Sequence, residues 1–345
     1  MSRWIVVLAG GVGSRFWPVS TPERPKQLLP LVSDKPLLQD SVDRLAPLVD
    51  PTHMLVLTNV DLVKPIRRLL PTLPRENIIA EPKPAGTAAA LTWAARIIEQ
   101  RDGKDATMIS VHADWAIGND ERFRQALRQG EKHAVDTHTL VTVGVVPTRA
   151  DPGFGYIQPE DPDSPVSPVE RFVEKPDRQT AERLRLEGYL WNSGIFIWTV
   201  GDFLAQVKQH ARELKKAIGL GDEAEAADFF AAVQRPISVD NAVLERSNNV
   251  AVVRGDFGWD DVGTWSALSR VRDKDEFGNV TSGEAHLLDC TDNVVHADGG
   301  RVVMYGVDKL VVVVHDGLTL VTTREKATDL KRLVESLPAA DRTKR

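Results

Sequence analysis

Cysteine is almost missing from this chain: Cys290 is the single one in 345 residues. One thiol can neither close an intramolecular disulfide nor build a thiolate zinc site, so a reducing cytoplasm is the expected setting. Cys290 itself lies in a strand-like stretch and reads as a small core residue. A positive excess is missing too. There are 43 Lys and Arg against 49 Asp and Glu, a net charge of −6, which argues against nucleic acid or an anionic membrane as the main partner. Any anionic ligand must be held locally. No apolar run approaches the roughly 18 residues of a membrane span. The run from Ile5 to Ala9 is too short for a signal-peptide core and meets Gly10 and Gly11 at once. What remains is ordinary globular material, 42% hydrophobic and 27% charged, enough for a large buried core.

Up to about residue 271, short apolar runs alternate with helically spaced segments. Expected strands are 4–9, 53–58, 78–80, 107–112, 140–146, 172–174, 195–198 and 250–253. Expected helices are 37–48, 62–70, 87–98, 120–135 and 202–217. The strands show little polar alternation, as when helices cover both faces, and repeated β-α-β crossovers imply a Rossmann-like, mostly parallel sheet of the α/β class. After Phe277 the pattern changes to Val-rich strands separated by Asp-Gly, Asp-Asn and Gly-Gly turns, an all-β unit. A helix over 324–337 follows. The expected domains are 1–275, 276–337 (β-rich with a terminal helix) and a flexible tail, 338–345. The proline-rich stretch 159–168 reads as a surface loop.

Directly after the first strand comes Leu8-Ala9-Gly10-Gly11-Val12-Gly13-Ser14-Arg15. Three glycines in four positions let the backbone turn sharply and aim several N–H groups at one anion, most simply a phosphate. The spacing fits neither the dinucleotide fingerprint nor the P-loop. Pro18, Pro22 and Pro25 forbid a long helix and shape a loop ending in Pro25-Lys26-Gln27. Arg15, a planar fork, and Lys26, a compact point charge, thus share one loop suited to a triphosphate and its departing pyrophosphate.

Gly10-Gly11-Val12-Gly13-Ser14-Arg15-Phe16-Trp17-Pro18 with Pro25-Lys26-Gln27 resembles the signature loop of the sugar-1-phosphate nucleotidylyltransferases. Phe16-Trp17-Pro18 and Gln27 point to the mannose-1-phosphate guanylyltransferases among them. The resemblance covers residues 1 to about 275. It implies a Mg²⁺-assisted transfer of GMP from GTP to mannose 1-phosphate, giving GDP-mannose, with Arg15 and Lys26 as catalytic cations. Leu8, Ala9, Gly10, Gly11, Gly13 and Ser14 would line the nucleotide.

Asp114 follows the 107–112 strand, and Asp261 belongs to Trp259-Asp260-Asp261-Val262-Gly263-Thr264. Either could be an ordinary cap or turn residue. The resemblance makes Asp114 and Asp261 the metal ligands, with Asp260 ranked lower. It finds no match for a His after the first Asp, and His112 reads as a packed strand-end residue. In Glu81-Pro82-Lys83-Pro84-Ala85-Gly86-Thr87, a carboxylate at Glu81 could accept N1–H and the exocyclic amino hydrogens of guanine together. Thr87 is the expected N-cap, and Gly86 stands where the family carries Asn. For the acceptor, the resemblance assigns sugar or phosphate contacts to Glu174 and Lys175 of Val-Glu-Lys-Pro, to Asn192 of Asn-Ser-Gly, and to the backbone of Gly155.

Other readings stay open at this point. They are a different sugar such as heptose, a different nucleotide such as UTP or dTTP, or a non-catalytic nucleotide-sugar-sensing subunit on the same fold. The β-rich unit resembles the β-helix-like or β-roll tail of these enzymes, and its apolar strands offer a route to a homodimer. The length leaves no room for an added isomerase domain, so one activity is expected.

Overall fold

The computed structural model describes residues 1–11, 14–221 and 223–338; Gly13 and the expected tail beyond Pro338 lie outside the described residues. The chain divides into two compact units. One contains Met1–Gly10, Asp43–His112 and Asn119–Trp259, and the other Gly11–Val42, Ala113–Gly118 and the chain from Asp260 onward.

The first unit is built on a nine-stranded sheet. Its strands are β1 (Arg3–Leu8), β2 (Met54–Asn59), β3 (Ile78–Glu81), β4 (Thr107–His112), β5 (Leu140–Val145), β6 (Tyr156–Pro159), β7 (Val166–Val173), β8 (Leu190–Thr199) and β9 (Val250–Gly255). They lie in the order β3-β2-β1-β4-β8-β5-β9-β7-β6. Pairing of β1 with β2 and β4, of β2 with β3, and of β5 with β9 is parallel. Only β8 and β7 run against the common direction, β8 entering antiparallel between β4 and β5. This is the α/β architecture with a mostly parallel sheet.

Helices cover both faces. The alanine-rich helix α3 (Thr87–Asp102), which follows α1 (Leu37–Leu45) and α2 (Val63–Leu69), has high helix propensity and small side chains, and packs close on Trp4, Val6, Leu8, Leu55 and Leu57. Phe196 and Trp198 of β8 belong to that same core, whereas the intervening Ile197 faces the other way. There it meets α4 (Asp120–Thr137) at Gly130, where a Cβ would stand 2.6 Å from Ile197 Cδ1. Asn119 caps α4 by accepting from Arg122 N.

Some elements differ from expectation. The run 202–217 divides into α6 (Val200–His210), preceded in the chain by α5 (Arg178–Leu186), and short turns beyond Ala211, whose ψ of 71° interrupts the helix. Helix α5 went unseen because only Ala181 and Leu184 are buried on it. The stretch 159–168 is not all loop: Val166, Ser167 and Pro168 pair with β9. The terminal helix shortens to Lys331–Ser336, because Asp329 leaves helical geometry and its carboxylate accepts from Lys331 N.

The second unit carries a four-stranded sheet, β10 (Val280–Leu288), β11 (Val294–Tyr305), β12 (Leu310–His315) and β13 (Leu318–Thr323). Strands β10, β11 and β12 are parallel neighbours although only a few residues link them, so the chain winds in successive coils. Left-handed residues Asp289, Asp292 and Lys309 make the corners. Stacked asparagines brace them. Asn279 Oδ1 accepts from Asn293 N, and Asn293 donates to Val307 O and accepts from Leu310 N, each within 3.0 Å. Asp316-Gly317, with φ of 47° and 75°, closes the β12–β13 hairpin, the conformation a two-residue turn demands. Cys290 is 3% exposed and packs in this unit.

The opening segment of the second unit shares a core with the coil. Phe16, Trp17, Leu29 and Leu31 pack with Val262, Trp265, Val294, Val311 and Val313. Trp265 Nε1 donates to Trp17 O at 2.9 Å, and its ring meets Phe16 edge-on.

Candidate active site

Within the second unit, Lys26 opens a short turn with its side chain 9% exposed; Nζ stands 3.1 Å from Asp114 Oδ2 and donates to the Asp261 carbonyl at 2.6 Å. One ammonium therefore ties together two residues far apart in sequence. Gln27, buried beside it, donates to Gly11 O at 2.9 Å and holds the glycine segment against the same turn. Arg15 is exposed, its backbone set by the buried Phe16 and Trp17 that follow.

Asp261 lies in a tight turn. Val262 is fully buried with φ of 44°, a strained value for a β-branched residue. At Gly263 a Cβ would stand 2.6 Å from Asp261 Oδ2 and 3.7 Å from Arg15 Nη1, so the missing side chain leaves room for both charges. The neighbouring Asp260 is committed elsewhere: its carboxylate accepts from Arg270 Nε at 2.6 Å, Arg270 Nη2 at 2.9 Å and Val262 N at 2.9 Å. Among the described residues no group of three or more His, Cys, Asp or Glu gathers as a metal cage. Asp114 and Asp261 each offer a carboxylate, the oxygen ligand type that Mg²⁺ takes together with substrate phosphates and water. The donor chemistry fits.

Within the first unit two further groups form. Ala9, just past β1, donates to Leu57 O and accepts from Thr58 Oγ1, which fixes the exit of Leu8 and Ala9 toward Gly10. Glu81 ends β3. Its Oε1 lies 3.4 Å from the place a Gly10 Cβ would take, and burial pushes its carboxyl up to about 7. Gly86 has φ of 83°, and a Cβ there would strike Ile237 O at 2.2 Å, so the position demands glycine. That departure from the expected Asn is therefore a backbone requirement. Gly86, not Thr87, caps α3; the Thr87 hydroxyl is taken instead by Val239 N, from which it accepts at 2.9 Å. His112 is half-buried at the end of β4.

The last group surrounds Gly155. Its carbonyl accepts from Asn192 N at 2.8 Å, and a Cβ on it would lie 2.6 Å from Glu174 Oε2. Lys175, at φ of 45°, pairs its ammonium with Glu174. Asn192 Nδ2 donates to Asp240 Oδ1 at 2.6 Å. Asp240 was missed in the sequence, where one Asp in the four-residue helix Val239–Ala242 carries no signal. Trp191 and Phe154 meet nearby with their rings tilted by 58°, and the Arg149 guanidinium lies 4.9 Å over Trp191. A cavity of about 530 Å³ opens beside Glu174, lined also by Glu170, Arg171, Glu245, Ser247 and Asn248.

The nucleotidyl transferase family model matches residues 5–277. The mannose-1-phosphate guanylyltransferase of Klebsiella pneumoniae is 37% identical over 98% of this chain and 74% of its own length. That of Escherichia coli gives 37%, 98% and 74% by the same measures. A crystal structure described as a mannose-1-phosphate geranyltransferase from Thermus thermophilus matches with a TM-score of 0.90 at 33% identity, over 97% of this chain and 99% of that one. The chain belongs to the nucleotidyl transferase family and is an enzyme of that class. Within the class, both of these relatives, matched over 98% of this chain, are mannose-1-phosphate guanylyltransferases.

Proposed function

We infer that this chain transfers GMP from GTP to α-D-mannose 1-phosphate, giving GDP-mannose and pyrophosphate. The relatives supply the substrates, and the observation that carries the chemistry is Lys26, a buried cation bonded to both Asp114 and the Asp261 backbone. A phosphate oxygen of the sugar phosphate, anionic at neutral pH, attacks the α-phosphorus of GTP in line. The new P–O bond forms as the bond to the β-phosphate oxygen breaks, and pyrophosphate leaves with that electron pair. No separate base is needed.

Arg15 and Lys26 hold the negative charge that builds on the leaving group. The backbone of Leu8, Ala9, Gly10, Gly11, Gly13 and Ser14 lines the triphosphate, Glu81 reads guanine, and Gly86 and Thr87 shape the turn beside it. Gly155, Glu174, Lys175 and Asn192 hold the acceptor. Asp114 and Asp261 would hold Mg²⁺, which when bound would supply charge neutralisation at the phosphates. Residues 1–275 form the catalytic domain and 276–337 a β-helix-like appendage. A cytoplasmic enzyme, without nucleic-acid or membrane partners and able to form a homodimer, fits the composition.

Pyrophosphate release tests this directly. With mannose 1-phosphate and each of GTP, ATP, UTP and dTTP, GTP gives the fastest turnover; chelation by EDTA stops it and excess Mg²⁺ restores it. Faster turnover with UTP or dTTP overturns the base assignment, higher turnover with another sugar phosphate overturns the acceptor, and no turnover with any pair leaves the sensing reading in its place.

A further inference from the structure

We propose that Asp240 is a positioning residue for the acceptor sugar: it fixes the Asn192 side-chain amide so that Asn192 presents an N–H, not a carbonyl, to the ligand. The inference rests on the assignment of Asn192 to the acceptor.

An asparagine amide is nearly symmetrical in shape, and only its hydrogen-bond partners decide which end faces where. At Asn192 both ends are decided. The oxygen accepts from Thr142 Oγ1 and Gly194 N, each at 3.3 Å, and the nitrogen donates to Asp240 Oδ1 at the shorter 2.6 Å. The Asp240 bond is the shortest of the three and involves the one full charge, so it dominates the orientation. One Asn192 N–H is then left over, on a side chain whose Cβ lies 3.5 Å, and the Glu174 Oε2 2.6 Å, from the place a Gly155 Cβ would take. A donor next to an acceptor suits adjacent hydroxyls on a sugar ring.

Asp240 does not reach this place cheaply. Asp240 is half-buried, and that desolvation, with Glu174 and Glu245 as like charges nearby, raises its carboxyl to about 6. Among the described residues Asn192 is its one side-chain partner in compensation. The backbone holding it is pinned in turn. Val239 N donates to Thr87 Oγ1 at 2.9 Å, Ala88 N donates to Ile237 O at 3.2 Å, and Ser238 Oγ accepts from Asn241 N at 3.3 Å. The segment 237–240 is thus anchored on the start of α3, the same turn assigned to the nucleotide, and delivers a carboxylate to the acceptor group.

Steady-state kinetics on Asp240→Ala, Asp240→Asn and Asn192→Ala, varying each substrate separately, test the inference. Asp240→Ala is expected to raise KM for mannose 1-phosphate about tenfold while KM for GTP stays within about twofold. Asp240→Asn keeps an oxygen that accepts from Asn192 and is expected to restore KM to within about threefold of the parent. Equal rises for both substrates in Asp240→Ala, or an unchanged KM for mannose 1-phosphate, overturn the inference. So does a tenfold rise in Asp240→Asn, the variant that decides the matter should Asp240→Ala fail to fold. If Asn192→Ala leaves the acceptor KM untouched, the acceptor assignment itself has failed. If it raises that KM and Asp240→Ala does not, only the role of Asp240 falls.

Discussion

The charged cluster around Lys26 and the polar cluster around Gly155 are held by opposite means. Lys26, Asp114 and Asp261 sit on three separate loop segments and bind one another through full charge and one carbonyl. Glu174, Asn192 and Gly155 sit at strand ends, where backbone bonds and a missing Cβ set the spacing. The first arrangement suits phosphate chemistry, since an ammonium already paired with one carboxylate and one carbonyl can exchange them for phosphate oxygens without a change of place. The second suits hydroxyl recognition, which depends on which atom donates and which accepts.

The largest test of this contrast is Lys26→Ala. With charge as the organising force, kcat is expected to fall on the order of 10² to 10³-fold while the melting temperature moves little, as read by stopped pyrophosphate assays and calorimetry. Turnover near the parent level would remove Lys26 from the transition state. Gly155→Ala should act on the other cluster alone. Its methyl group occupies the space of Glu174 Oε2, so KM for the sugar phosphate should rise about tenfold with KM for GTP unchanged, and a neutral result would mean that Glu174 is free to move aside.

A smaller effect sharpens the comparison at Glu81, a carboxyl with neither kind of support. It is raised from 4.5 to about 7 by burial, so its charged form is favoured only above that pH. If it reads guanine as a carboxylate, kcat/KM for GTP should drop about fourfold between pH 8 and pH 6.5, and Glu81→Gln should flatten that change. The sign for stability is opposite. The folded state binds the proton more tightly, so this residue favours folding most below pH 4.5 and loses that contribution as pH rises through about 7.

The sequence spoke clearly where function is packed into consecutive residues. Arg15 and Lys26 stand out in the sequence because glycines that allow a sharp turn and prolines that forbid a long helix surround them between 10 and 25. Asp114 and Asp261 look like ordinary turn residues one at a time, and only resemblance singles them out. Strand β8 was legible as an apolar run but not as an antiparallel insertion, since burial on both faces says nothing of direction. Thr87 was misjudged because an N-cap is the local default for its type, whereas its partner, Val239, lies 152 residues away. Asp240 was invisible for the same reason: its meaning lies in a neighbour 48 residues distant.

Phe16 and Trp17 follow Arg15 directly, yet many of the residues in their core come from beyond residue 260. The footing of the guanidinium is therefore written in two distant stretches of the gene. One methyl group more or less at Val294 or Val313 reshapes the bed beneath it. A chimera that exchanged the opening loop between relatives without exchanging the coil would join mismatched halves of a single nucleus, so these segments are bound to drift together.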